Sequence, residues 1–158
     1  MTVQAVPKGY HTLTPYMTVR DAARAIEFYK QAFGAEVKGA MKGPDGKVMH
    51  AELRIGDSLF MLADEFPEFG SLSPQSTGGA GMGLHIYIED VDSAFDRAVR
   101  AGASVEMPVA DMFWGDRYGK LADPFGHKWS IGTHIRDMSA EEIEEAQNEF
   151  MKQMPKSA

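Results

Sequence analysis

At 158 residues, 44% apolar and 25% charged, the chain suits one ordinary globular unit, which buries about 68 to 70% of its unfolded surface without a covalent staple. The absence of cysteine excludes disulfides, thiolate nucleophiles and cysteine-type zinc or iron sites, and fits a reducing cytosol. A net charge of −7 with no Lys/Arg cluster argues against nucleic acid as a partner. With no membrane-length apolar run and no secretion-type pattern at Met1-Thr2-Val3-Gln4, a cytoplasmic protein off the membrane is expected.

In chain order, residues 12 to 19 alternate apolar and polar with β-branched and aromatic content and predict a strand. Asp21 is placed as an N-cap, with Ala22, Ala25, Ile26, Tyr29 and Phe33 forming one helical face before Gly34 stops it. Residues 36 to 42 and 48 to 55 flank Gly43-Pro44-Asp45-Gly46, a hairpin signal in which proline presets φ and glycine accepts positive φ. Residues 58 to 62 predict a fourth strand.

Residues 65 to 82, with Pro67, Pro74, serines and glycines, are expected to be a mobile linker. Residues 84 to 88 then predict a strand. Asp92 is expected to cap a helix with Phe95, Ala98 and Val99 inward, and Gly102 ends it. Further strands are expected at 104 to 109, 118 to 122 and 127 to 133. Ser139-Ala140-Glu141-Glu142 fits a capping box ahead of Ile143, Ala146, Phe150 and Met154, which predicts a C-terminal helix within 137 to 158.

The order of elements repeats. Asp21 and Asp90 lie 69 positions apart, and Gly56 and Gly126 lie 70 apart, each glycine leading into an apolar strand. Two copies of this length predict paired modules, residues 12–64 and 83–136, within a single domain spanning 1–158.

This pattern resembles the vicinal oxygen chelate superfamily of glyoxalases, fosfomycin-modifying enzymes, extradiol dioxygenases and bleomycin resistance proteins. The residues that carry the likeness are Val19-Arg20-Asp21-Ala22-Ala23-Arg24-Ala25-Ile26-Glu27-Phe28-Tyr29, Phe33-Gly34 and Asp123-Pro124-Phe125-Gly126-His127. Trp114-Gly115-Asp116-Arg117-Tyr118-Gly119 looks like the PhnB-like branch. The resemblance implies an α+β fold of two tandem βαβββ modules. Their curled, mixed β-sheet would enclose a concave cleft completed by a homodimer, with a C-terminal helix added.

It also implies a metal held by His and Glu on the first and last strands of each module. Counting from the helix starts puts Thr14 and Gly83 at the first-strand stations, and Met61 and Ser130 at the closing-strand stations. None is a standard ligand, so no metal is expected there. A register two residues longer in the second module would restore His85.

Strand alternation gives a second route to the cleft. If Leu13, Pro15, Met17, Val19, Ala51, Leu53, Ile55, Leu84, Ile86, Ile88, Trp129 and Ile131 face the helices, the opposite faces line the cavity. Those faces carry Thr14, Tyr16, Thr18, His50, Glu52, Arg54, His85, Tyr87, Glu89, Lys128 and Ser130. They would seat a small polar or aromatic molecule, or a divalent metal at a displaced site of His50, Glu52 and His85.

The bland alternatives are a solvated strand face for His50 and Glu52, a structural hydrogen bond for His85, and a turn-ordering role for His127. Trp114 with Arg117 and Tyr118 could close over a ligand by stacking or pack on the sheet end, and Met61, Met107 and Met112 would make a cleft adaptable. No Ser with His and Asp geometry and no phosphate loop is expected, Gly78-Gly79-Ala80-Gly81-Met82-Gly83 being read as linker. Three functional classes follow: a metal-free small-molecule binder, a metal enzyme with a displaced site, and a structural or regulatory dimer with a filled cleft.

Overall fold

The computed structural model describes residues 3–155. Two four-stranded mixed sheets form, each in the order first, fourth, third, second strand of its repeat. The first holds β1 (Tyr16–Val19), β2 (Glu36–Lys42), β3 (Val48–Ile55) and β4 (Ser58–Asp64); the second holds β5 (Gly83–Tyr87), β6 (Ser104–Asp111), β7 (Asp116–Ala122) and β8 (Lys128–His134). In each sheet the first strand runs parallel to the fourth and the rest are antiparallel. The helices are α1 (Ala22–Phe33), the four-residue α2 (Pro74–Thr77), α3 (Val91–Ala101) and α4 (Ala140–Gln153). The α+β duplication is therefore present, with the sheets curled but not closed.

Helix starts follow local chemistry. Asp21 Oδ1 accepts the Arg24 amide at 3.2 Å, and Gly34 closes α1 at φ 66°. The second module departs from expectation: Asp90, not Asp92, is the N-cap of α3, accepting the Ser93 amide and hydroxyl. Asp92 lies one residue inside the helix and pairs with Arg117. Either carboxylate could cap by sequence, but only Asp90 precedes the buried Val91 that seats the helix. The Ser139/Glu142 capping box forms as read.

Two further corrections concern β1 and the connector. β1 begins only at Tyr16, because Thr14 folds back through its hydroxyl to the His11 carbonyl and Pro15 has no amide to give a ladder. Leu13 is consequently 89% exposed instead of facing the core, and Ile88, beyond the end of β5, is 42% exposed. The segment read as a mobile linker carries a short 3-10 helix (Pro67–Phe69) and α2. Glu65 ties it down, accepting the Ser73 amide, the Ser76 hydroxyl and Arg20.

One core serves both modules. Met17, Val19, Leu53, Phe60 and Leu62 from the first sheet meet Leu121, Trp129 and Ile131 from the second, with α1 and α3 packed on each other. Tyr29 of α1 lies between Phe60 and Trp129, at ring separations of 5.9 and 5.4 Å. Its hydroxyl donates at 2.6 Å to Asp123, a buried carboxylate that also receives Trp129 Nε1 and the amides of Phe125 and His127. Every such donor offsets the desolvation of a buried charge, so the turn after β7 is fastened to the opposite module's helix. Burial and the adjacent carboxylate push the Tyr29 phenol well above its usual value.

Because successive strand residues alternate, the apolar faces commit to this shared core and the polar faces of both sheets turn away from it. Neither polar face covers the other.

Candidate functional site

On the first sheet the polar face gathers Tyr16, His50 and Glu52. The Tyr16 hydroxyl lies 2.8 Å from His50 Nδ1, and His50 Nε2 lies 3.5 Å from Glu52. Met61 is the cross-strand neighbour of both Tyr16 and Glu52. Tyr10, a residue that periodicity did not flag, buries its hydroxyl here with no well-directed hydrogen bond. Burial first, and then the nearby Glu52 carboxylate, push its phenol up to about 12.

The second sheet repeats the arrangement with different chemistry. His85 neighbours Ser130 as Tyr16 neighbours Met61, and His85 Nδ1 is 2.7 Å from Ser130 Oγ. This is a Ser–His contact that sequence reasoning did not anticipate, since the partners are 45 residues apart and meet only through the parallel pairing of β5 with β8. Among the described residues no carboxylate hydrogen-bonds the imidazole. The ring is stacked on Tyr118 at 5.6 Å and meets the edge of Tyr87 at 4.4 Å. Burial lowers the His85 pKa, a shift that the Asp116 charge only partly opposes, which favours the neutral ring.

Gly132 makes room for this ring, because a Cβ there would sit 3.2 Å from His85 Cε1. A hollow of about 360 Å³ opens over the face, lined by His85, Tyr118, Lys120, Lys128, Ser130 and the strip Ala80–Gly83, among others.

Beside the hollow, Asp116 is only 3% exposed and accepts hydrogen bonds from Tyr87, Trp114 and His134. Burial alone would raise its carboxyl; the three donors outweigh that and hold it below the usual range. His134 also bonds Asp137, and the two carboxylates raise its pKa.

The pairing of Trp114 with Arg117 does not form. Trp114 meets Tyr118 edge-on at 5.4 Å, whereas Arg117 is clamped by Asp92 and Asp111. His127 does order its turn, and its ring reaches the Thr18 carbonyl at 2.9 Å.

The metal stations can be tested against these residues. Thr14 offers a hydroxyl already turned to His11, Gly83 no side chain, Met61 a thioether and Ser130 a hydroxyl facing His85. This set does not fit the hard or borderline divalent ions that carboxylate and imidazole hold. The displaced set is not gathered either. His50 and Glu52 stand on the first sheet and His85 on the second, and among the described residues no three His, Cys, Asp or Glu side chains converge to hold an ion.

Residues 10–131 match the profile of the Glyoxalase/Bleomycin resistance protein/Dioxygenase superfamily. The chain belongs to this superfamily. An uncharacterized protein of Mycobacterium bovis is 47% identical over 137 residues, covering 85% of this chain and 90% of that protein. Among solved structures, a gene product of Arabidopsis thaliana aligns at TM-score 0.63 with 28% identity, covering 77% of this chain and 98% of that one. A PhnB protein from Bacillus cereus, described as a putative 3-demethylubiquinone-9 3-methyltransferase, aligns at TM-score 0.61 with 20% identity over 78% of this chain and 99% of that one. At that identity the last likeness speaks for the fold alone. Superfamily membership accounts for the duplicated module but leaves the chemistry to the residues on its two polar faces. No helix among the described residues is long and apolar enough to cross a membrane.

Proposed function

We propose that the chain binds a small polar or aromatic molecule over the polar face of the second sheet, without the superfamily's usual metal. In this reading a second copy completes the cleft by laying its first sheet's polar face over the hollow. The observation that carries the proposal is the hollow itself, floored by His85, Ser130 and Tyr118. A neutral imidazole, a hydroxyl and aromatic rings suit recognition more than Lewis-acid chemistry.

Direction supports a second copy as the occupant. Both polar faces of one chain look away from the shared core and leave Tyr16 52% and Tyr87 64% exposed, which a second copy would cover. The internal repeat gives each face a matching counterpart on such a copy. The Tyr16, His50, Glu52 and Met61 face then contributes the other wall.

Three measurements test this reading. Elemental analysis of protein purified without chelator is expected to find no stoichiometric divalent metal. Sedimentation is expected to give a dimer. Calorimetry against a metabolite and antibiotic panel should find a binder that wild type holds unaltered and that His85→Ala weakens. A bound divalent ion, or turnover of the compound, would replace this reading with an enzymatic one; a cleft that refuses every compound would favour a structural dimer.

A further inference from the structure

We infer that the hollow on the second sheet selects small molecules bearing an oxyanion, a carboxylate or a phosphoryl group, and that Lys120 is its anchor. The inference rests on the ligand-binding reading above and adds the charge class of the ligand.

Three observations converge. Cross-strand pairing puts Lys120 beside Ser130 and Ser130 beside His85, so a cation, a hydroxyl and an imidazole form one row across β7, β8 and β5. All three share the polar face, since Leu121, Trp129 and Ile131 point into the core. Among the described residues, Lys120 has no ion pair and no hydrogen bond, whereas Lys128, the other lysine of the hollow, is held by Glu106.

The glycine-rich strip read from sequence as plain linker supplies the third observation. Ala80, Gly81 and Met82 line the same hollow, and their backbone amides donate to no other group among the described residues. A Cβ at Gly81 would meet nothing within 4 Å, so this backbone is open to a ligand. Unengaged amides beside an unpaired ammonium make a receptor for negative charge.

Electrostatic setting argues the same way. In a chain of net charge −7, a concave surface with two lysines, one glutamate and a neutral His85 carries a local positive balance. At the corresponding ladder position of the first sheet, beside Met61, stands Glu52. These two ladder positions therefore oppose each other in sign, and the cationic one borders the hollow.

Calorimetric titration of the full chain with benzoate, phenylphosphonate, benzyl alcohol and benzylamine tests the inference. At least one of the two acids is expected to bind about tenfold more tightly than the alcohol, with the amine weaker still. Lys120→Ala should cut that affinity by about tenfold, Lys120→Arg should retain most of it, and Lys152→Ala, at a lysine paired with Glu149 and outside the hollow's lining, should change nothing. Whichever acid binds more tightly tells a carboxylate from a phosphoryl preference. Equal binding of the alcohol or amine, no loss in Lys120→Ala, or no binding of either acid would overturn the inference. The ligand-binding reading is separable, because neutral probes weakened by His85→Ala but not by Lys120→Ala would sink the anion selectivity and leave the cleft.

Discussion

The polar faces of the two sheets share a backbone plan but not a chemistry. Tyr16, Met61, Glu52 and Ala63 on the first sheet occupy the ladder positions of His85, Ser130, Lys120 and Gly132 on the second. On the first face Tyr16 bonds His50 and His50 lies near Glu52, while on the second, among the described residues, the Lys120 ammonium and the amides of Ala80, Gly81 and Met82 are unengaged around a hollow. A duplicated fold can thus keep both copies of its scaffold while their polar faces carry different side chains. The inward faces keep their apolar character in both copies, because they must pack on one another, while the outward faces differ in charge.

The largest effect is expected from breaking what joins the halves. Asp123→Ala removes a buried acceptor from two aromatic side chains and two amides, and should lower unfolding free energy by about 3 kcal/mol or more in chemical denaturation. Equal stability with wild type would mean that the modules do not depend on that staple. Next, Gly132→Ala gives the second face the residue found at the equivalent place of the first. With a Cβ 3.2 Å from His85 Cε1 and 3.4 Å from the Arg117 carbonyl, it should displace the imidazole and weaken ligand binding in calorimetry, at a stability loss of about 1 kcal/mol.

Two smaller effects are set by pH. Hydrogen bonds from Ser73 and Ser76 hold Glu65 at about 2, against an ordinary value of 4.5. A depressed carboxyl contributes stability that is complete above 4.5 and is lost as pH falls toward 2. Thermal melts of Glu65→Gln should therefore lie below wild type near neutrality and converge with it in that acid window.

His134 has the opposite sign. Asp137 and Asp116 raise it above 6.5, so its contribution is present below 6.5 and disappears as pH rises through the higher folded value. His134→Gln should flatten the melting-temperature profile on that alkaline side of 6.5. An unchanged slope would show that the Asp116 cluster beside the cleft does not depend on a charged imidazole.

Much of this was legible in the residues. The Asp21 and Ser139 caps, the Gly43–Gly46 turn and the repeat near 69 residues are local signals, since each depends on groups a few positions apart or on comparing the chain with itself. The site was legible only in part. Alternation assigned Tyr16, His50, Glu52, His85 and Ser130 to polar faces, but did not reveal that His85 meets Ser130, that Arg117 is taken by Asp92 and Asp111, or that Lys120 is left over. Nor did it expose the buried phenol of Tyr10, which lies ahead of the first strand where no periodicity runs.

The sequence by itself determined the duplicated α+β module, because periodicity, caps and residue identity are properties of the chain alone. Tertiary structure decided which neighbours those side chains have. Strand pairing brings residues 45 apart to 2.7 Å at His85 and Ser130, and the packing of both apolar faces into one core turns the two polar faces outward. The glycine strip changed its meaning for the same reason: proximity to Lys120 and Lys128, set by the fold and not by spacing along the chain, makes it the rim of a hollow.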